Sequence, residues 1–227
     1  MNNTKIKAIL FDFDGTVVDS EQSRFESSKR VLKNYNFNLT NDMWENKYKS
    51  LSSKQLFEDV VELLNLSISP EELYSQAHNL RTQIERIKGV RVIDGFRDFY
   101  DQCKELGLKC IVCSGGTTEH VQRILKQCEI DIVGFGREEY ENRKPAPDAW
   151  IYGMKKLGVK PNEVILFDDA STGIIAGLRA GVEKCCAINY NEEDFRDVIK
   201  YEEEVNLEVF KYFKNWKEVE IDKLIKE

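Results

Sequence analysis

Five short apolar runs, each separated from the next by amphipathic stretches, constrain this chain more than any other feature. They are "IKAILFD" (6–12), "LKCIVCS" (108–114), "IDIVGFG" (130–136), "VILFDD" (164–169) and "KCCAIN" (184–189). Amphipathic segments fall at about 95–106, 117–127, 147–157 and 171–180. A continuous apolar run suits a strand buried on both faces, and strands alternating with helices of this length predict a parallel sheet covered on both sides. Gly107, Gly158 and Gly181 stand where C-caps would end three of these helices, and Pro161 marks a loop.

The first interval breaks the rhythm. Far more chain separates Asp12 from the second run than one crossover helix needs, and it reads as helices: "SRFESSKRVLKNY", "SKQLFEDVVELL" and "PEELYSQAHNLRTQIERI". Ser69-Pro70-Glu71-Glu72 has the chemistry of a helix start, with Pro70 at the first helical position and two acids in the first turn. The expected organisation is a doubly wound α/β core, residues 1–18 and 91–227, with a small helical domain, residues 19–90, inserted into it. The charge-rich stretch after about residue 191 predicts little beyond a docking helix in "EVEIDKLIKE".

Composition excludes several partners. A formal charge of −7 argues against nucleic acid or an anionic membrane surface, both of which need a basic patch. The run before Asp12 is too short for a signal-peptide core, and no apolar stretch is long enough to span a bilayer, so the expected home is the cytosol. Cys110 and Cys113 form a CxxC inside a strand-like run, where side chains three apart point to opposite faces; buried reduced thiols are the simpler reading. His78 and His120 belong to no ligand-spaced cluster, which disfavours a zinc site or a Ser-His-Asp triad. Acid–base chemistry falls to carboxylates.

Those carboxylates sit at strand ends, where open parallel sheets bind ligands. The first run ends in Asp12-Phe13-Asp14-Gly15-Thr16, the second in Ser114-Gly115-Gly116-Thr117, and the fourth in Asp168-Asp169. Arg143-Lys144-Pro145-Ala146-Pro147-Asp148 precedes a helix. Four acids, one lysine and a hydroxyl beside exposed amides would thus converge on one rim. Clustered carboxylates raise one another's pKa unless a cation neutralises them. An all-oxygen set suits Mg²⁺, which keeps several waters and takes one or two carboxylates together with a substrate phosphate.

With these residues in view, the chain resembles the haloacid dehalogenase superfamily, in the subgroup of phosphoglycolate phosphatase and β-phosphoglucomutase with a helical cap inserted after the first motif. The resemblance spans nearly the whole length and rests on four motifs in order: "DFDGT", Ser114 of "VCSGG", Lys144 of "RKPAPD", and "DDASTG". It implies in-line attack by Asp12 on a phosphoryl group, giving an aspartyl-phosphate. Asp14 would protonate the leaving oxygen and then deprotonate the hydrolytic water. Mg²⁺ would be held by the Asp12 carboxylate, the Asp14 backbone carbonyl and Asp169, with Asp168 assisting. Ser114, the Gly115 amide and Lys144 would bind phosphoryl oxygens. An aspartate at position 14 is what the phosphate-ester members carry, which points to a phosphatase of a small phosphorylated metabolite, with no protein partner implied.

The mutase branch is the alternative. It carries a histidine where Arg24 stands and a phosphate-gripping arginine where Ser53 stands, although Lys49 and Lys54 are near. Both departures favour hydrolysis, and Arg24 becomes a candidate substrate contact. A non-catalytic phospho-receiver is disfavoured by the inserted helices and by the presence of both Asp14 and Lys144.

Overall fold

β1 (Ala8–Phe11) is buried at every residue and pairs in parallel with β4 (Lys109–Cys113) on one side and β6 (Val164–Asp168) on the other. The computed structural model describes residues 5–49, 51, 53–189, 195, 198, 200, 201 and 209–227. It divides the chain into two units, Met1–Asp19 with Arg91–Glu227, and Ser20–Val90.

In the first unit β5 (Val133–Phe135) lies beyond β4, and β7 (Lys184–Ala187) and the short β8 (Lys211–Tyr212) lie beyond β6, giving the order β5-β4-β1-β6-β7-β8. Every pairing in this six-stranded sheet is parallel. The chain thus winds outward from β1 in one direction and then in the other, so the order reverses at β1. This is the switch point where doubly wound sheets place their ligands. Register sharpens the placement: Phe11 stands opposite both Val112 and Phe167, so Asp12, Cys113 and Asp168 leave the sheet at one level.

Alternate residues of β1 serve opposite faces, as strand geometry requires. Ala8 and Leu10 join Ile111, Cys113 and Leu166 under α7 (Asp148–Leu157) and α8 (Ser171–Arg179), against Trp150, Met154 and Ile174. Phe11 turns the other way, onto Phe96 and Phe99 of α5 (Phe96–Glu105), with Phe167 and Trp216, at ring separations of 5.2–6.1 Å. α6 (Thr118–Gln127) starts on Thr117, whose hydroxyl accepts from the His120 amide at 3.2 Å. Gly107, Gly158 and Gly181 follow α5, α7 and α8 with φ of 68°, 67° and 77°. The two crossings out of this unit pair with each other: β2 (Val18–Asp19) runs antiparallel to β3 (Arg91–Val92), with an Arg91–Asp19 ion pair at 2.6 Å.

The second unit holds α1 (Glu21–Lys33), α2 (Asn41–Met43) continuing into one π-helical turn (Trp44–Tyr48), α3 (Ser53–Leu64) and α4 (Pro70–Lys88). Ser69 and Glu72 form a full capping box ahead of Pro70. The core is Leu32, Leu39, Trp44, Tyr48, Phe57 and Leu73 with their neighbours. A fully buried Glu85 ties α4 to α1, accepting from Ser23 Oγ at 2.9 Å and Arg81 Nε at 2.7 Å. Such a charge stays buried only because it is paired and hydrogen-bonded.

At the chain's end, a 3₁₀ turn (Trp216–Glu218) and a single-turn α9 (Ile221–Leu224) bury Trp216, Ile221 and Leu224. All of "EVEIDKLIKE" is described, and the docking helix expected there is only the single turn Ile221–Leu224; much of the charge-rich stretch before residue 209 lies outside the described residues. Among the described residues no helix is long and apolar enough to cross a membrane.

Candidate active site

Lys144 organises the rim. It comes from the loop ahead of α7, and its ammonium reaches Asp12 Oδ1 at 2.5 Å, Asp168 Oδ2 at 2.7 Å and the Cys113 carbonyl at 3.3 Å. One cation therefore touches the ends of β1, β6 and β4, and it also sits 4.0 Å from the centre of the Trp150 ring. Burial pulls the lysine's pKa down, but Asp12 and Asp168 outweigh it and leave the ammonium held above its usual range.

The carboxylates are not matched by that single charge. Asp12, Asp168 and Asp169 each offer an oxygen within 4.8 Å of the others'. Burial pushes Asp12 up to about 7; Lys144 opposes the rise, while Asp168 and Asp14 add to it. Asp169 is pushed well above the usual carboxylate range by burial and then by Asp12 and Asp168, although Thr16 Oγ1 donates to its Oδ1 at 3.0 Å. With all three acids ionised, the Lys144 ammonium would leave an excess of two negative charges in a poorly hydrated place. A second cation removes that excess, and an oxygen-only donor set fits a hard ion such as Mg²⁺.

Two glycines make the crowding feasible. A Cβ on Gly15 would lie 1.9 Å from Asp169 Oδ2, and Gly15 also holds φ +85°, which an L side chain rarely adopts. A Cβ on Gly173, in the first turn of α8, would lie 1.7 Å from Asp168 Oδ2. Gly173→Ala is therefore expected to displace the Asp168 carboxylate from Lys144 and from the Ala170 amide it now accepts at 2.9 Å. The expected loss in kcat/KM is about 10- to 100-fold, the range that misplacement by roughly 1 Å produces. Steady-state kinetics on a variant with unchanged circular dichroism would check it.

Ser114 follows β4 and is buried; its Oγ accepts from the Gly116 amide at 3.0 Å and its carbonyl accepts from Tyr140 Oη at 2.8 Å. A hydroxyl that accepts one amide still has its proton to donate. At Gly115 no atom stands within 4 Å of where a Cβ would be, so the turn is uncrowded at that residue. Asp14 is half-buried, and its carboxylate is not one of the three that gather.

Arg24 belongs to the helical unit. Its guanidinium donates to the Leu51 carbonyl at 2.8 Å and the Lys49 carbonyl at 2.5 Å, pairs with Glu21 at 3.1 Å, and lies 4.4 Å over the Trp44 ring. These bonds alone give it a structural task, stitching α1 to the segment after the π turn. It also lines a small cavity of about 40 Å³ within that unit, together with Ser53, Tyr74, His78 and Arg81.

Sequence reasoning did not single out Tyr140, Trp150, Asn189 or Trp216, which hold the rim from behind. Tyr140, Asn189 and Trp216 are distant in sequence from the carbonyls they bond, so no local spacing exposes them. All six cysteines are free thiols, and burial pushes those of Cys113 and Cys185 well above their usual range.

A Rossmann-like parallel sheet with three acids and a lysine at its switch point defines a doubly wound α/β protein with a charged ligand site, and comparison with known proteins names its family. Residues 9–188 match the haloacid dehalogenase-like hydrolases. The chain belongs to that family. It is 28% identical over 187 residues to YhcW of Bacillus subtilis (strain 168), whose name gives phosphatase as a provisional activity, covering 81% of this chain and 83% of the relative. It is 22% identical over 199 residues to the phosphorylated carbohydrates phosphatase of Thermotoga maritima, covering 86% and 91%. Among solved structures, β-phosphoglucomutase of Clostridium difficile superposes with a TM-score of 0.72 at 17% identity, covering 96% and 95%.

Proposed function

We propose that this enzyme is a Mg²⁺-dependent phosphatase of a small phosphorylated metabolite, working in the cytosol through an aspartyl-phosphate formed on Asp12. One observation carries the reading: Lys144 bridges Asp12 and Asp168 at the switch point of the sheet, inside a carboxylate cluster that needs a further cation. Six free thiols suit a reducing compartment.

In this reading Asp12 Oδ attacks phosphorus in line with the ester oxygen, forming the P–O bond to the carboxylate as the ester bond breaks. Asp14 gives its proton to the departing oxygen. It then takes a proton from water, whose oxygen attacks the same phosphorus and returns Asp12 as a free carboxylate. Lys144, the Ser114 hydroxyl and the Gly115 amide receive the equatorial oxygens. A carboxylate and a phosphate dianion repel, so positioning and electrostatic screening carry most of the catalysis. Asp12, Asp169 and the Asp14 carbonyl, with Asp168 beside them, would hold Mg²⁺, which when bound screens that repulsion and polarises the phosphoryl group.

The test is phosphate release with Mg²⁺ from p-nitrophenyl phosphate and from a panel of phosphorylated sugars, nucleotides and small acids. Isomerisation of a sugar phosphate without phosphate release would move the enzyme to the mutase branch, and no release from any substrate would end the reading. The helical unit is assigned the choice of substrate, with Arg24 as its candidate contact. Arg24→Ala is expected to lower kcat/KM for the preferred substrate about tenfold, the weight of one charged hydrogen bond, and to leave acetyl phosphate hydrolysis unchanged. Parallel losses on both substrates would assign Arg24 to the phosphoryl site or to folding alone.

A further inference from the structure

The turn that carries Asp12 and Asp14 is held from behind by two side chains far along the chain. Trp216 Nε1 donates to the Thr16 carbonyl at 2.8 Å, in a bond that is fully buried. Asn189 Nδ2 donates to the Gly15 carbonyl at 2.5 Å. Two consecutive carbonyls of the "DFDGT" turn are thus fixed by donors outside it, while Thr16 Oγ1 reaches forward to Asp169. Asn189 holds φ +54°, a left-handed conformation that asparagine tolerates better than most residues.

The Trp216 ring is placed to do more than fill space. It lies 5.8 Å from Phe11 and 4.9 Å from Phe167, centroid to centroid. Those phenylalanines immediately precede Asp12 and Asp168. It also packs 4.7 Å from Phe99, and a Cβ on Gly95 would come within 3.0 Å of its own Cβ. One indole therefore touches the residues that deliver two of the acids and bonds the backbone of the residue that orients the third.

We infer that Trp216 and Asn189 are positioning residues that set the spacing of the Asp12–Asp14 turn against Asp168 and Asp169, so the chain's last segment is part of the catalytic apparatus. Clustered negative charges push that turn away from its partners, and a backbone held at two carbonyls resists the push. The effect is on geometry at the moment of attack and on the oxygen spacing offered to a cation. The inference rests on the phosphatase reading for its kinetic consequences, whereas cation binding tests it directly.

Two variants separate the donors from the packing. Trp216→Phe keeps an aromatic ring and removes the N–H. Asn189→Gly keeps the left-handed backbone and removes the amide. Each is expected to lower kcat about tenfold with little change in KM, and to weaken Mg²⁺ binding several-fold by titration calorimetry on the full chain. A purely structural role would lower the melting temperature and leave kcat and the Mg²⁺ midpoint of the folded fraction at wild-type values; that result overturns the inference. If Trp216→Phe fails to fold, Asn189→Gly decides alone. An inactive wild-type protein would instead count against the phosphatase reading, and the Mg²⁺ titration would still judge the roles of Trp216 and Asn189.

Discussion

Asp12→Asn is expected to reduce turnover to the background of the assay and to leave the fold intact. The amide is nearly isosteric with the carboxylate, so the strand end, the Phe11 packing and the position opposite Asp168 all persist. What is lost is the oxygen nucleophile, because an amide cannot form the acyl phosphate, and with it the charge that pairs with Lys144 at 2.5 Å. The same substitution has a second, oppositely signed effect on stability. Burial raises the Asp12 pKa in the folded protein to about 7, so folding is disfavoured once that group must ionise. A carboxyl whose folded pKa exceeds its unfolded value contributes stability that is complete below the unfolded pKa and is lost as pH rises through the folded one. At pH 8 and without divalent ions the wild-type chain carries this penalty and the asparagine variant does not. The variant should therefore melt higher than wild type at pH 8 in chelator, with the difference shrinking toward pH 5. Residual activity above a few per cent of wild type would remove Asp12 as the nucleophile, whatever the melts show.

What could be read from the residues alone divides along physical lines. The apolar runs and the helices between them are local patterns, so 164–169 reads as a strand and Val164–Asp168 is one. The helix start at Ser69-Pro70 behaves likewise, because a cap is settled within a few residues. The π turn at Trp44–Tyr48 and the two-residue strand at Lys211–Tyr212 had no such signal. Each is too short for a pattern to repeat along it and is stabilised by partners elsewhere, Trp44 by Glu21 and Phe25, β8 by β7. The site follows the same division. Asp12, Ser114, Lys144 and Asp169 stand in motifs whose residue types betray their chemistry. Lys144 bridging Asp12 and Asp168 is a tertiary fact, and so are the contacts of Trp216, which crosses 200 positions to reach Thr16. Nothing in "KNWKEVE" suggests that its indole supports a turn at the other end of the chain.

Removal of divalent ions is expected to silence the enzyme as completely as the loss of Asp12, and to do so reversibly. With Asp12, Asp168 and Asp169 within 4.8 Å of one another and the single charge of Lys144 bonded to two of them, the metal-free site is expected to repel a phosphate dianion. Activity in EDTA should fall to background and return on adding Mg²⁺ in excess. The return should depend on pH in a defined direction. A ligand must lose its proton before it can bind the ion, so protons and metal compete for Asp12, and for Asp169, whose pKa is also raised. Below about pH 7 the Mg²⁺ concentration needed for half-maximal activity should climb roughly tenfold per pH unit for each proton displaced. Melting temperatures supply the check that needs no substrate. In EDTA stability should fall as pH rises from 6 to 8, because the cluster is forced to ionise. In Mg²⁺ that fall should vanish, with a stabilisation of about 3 kcal/mol when the free ion stands at roughly a hundred times its dissociation constant. Full activity in chelator, or melts that ignore both pH and Mg²⁺, would mean that the three acids are held by the protein alone and that no metal takes part.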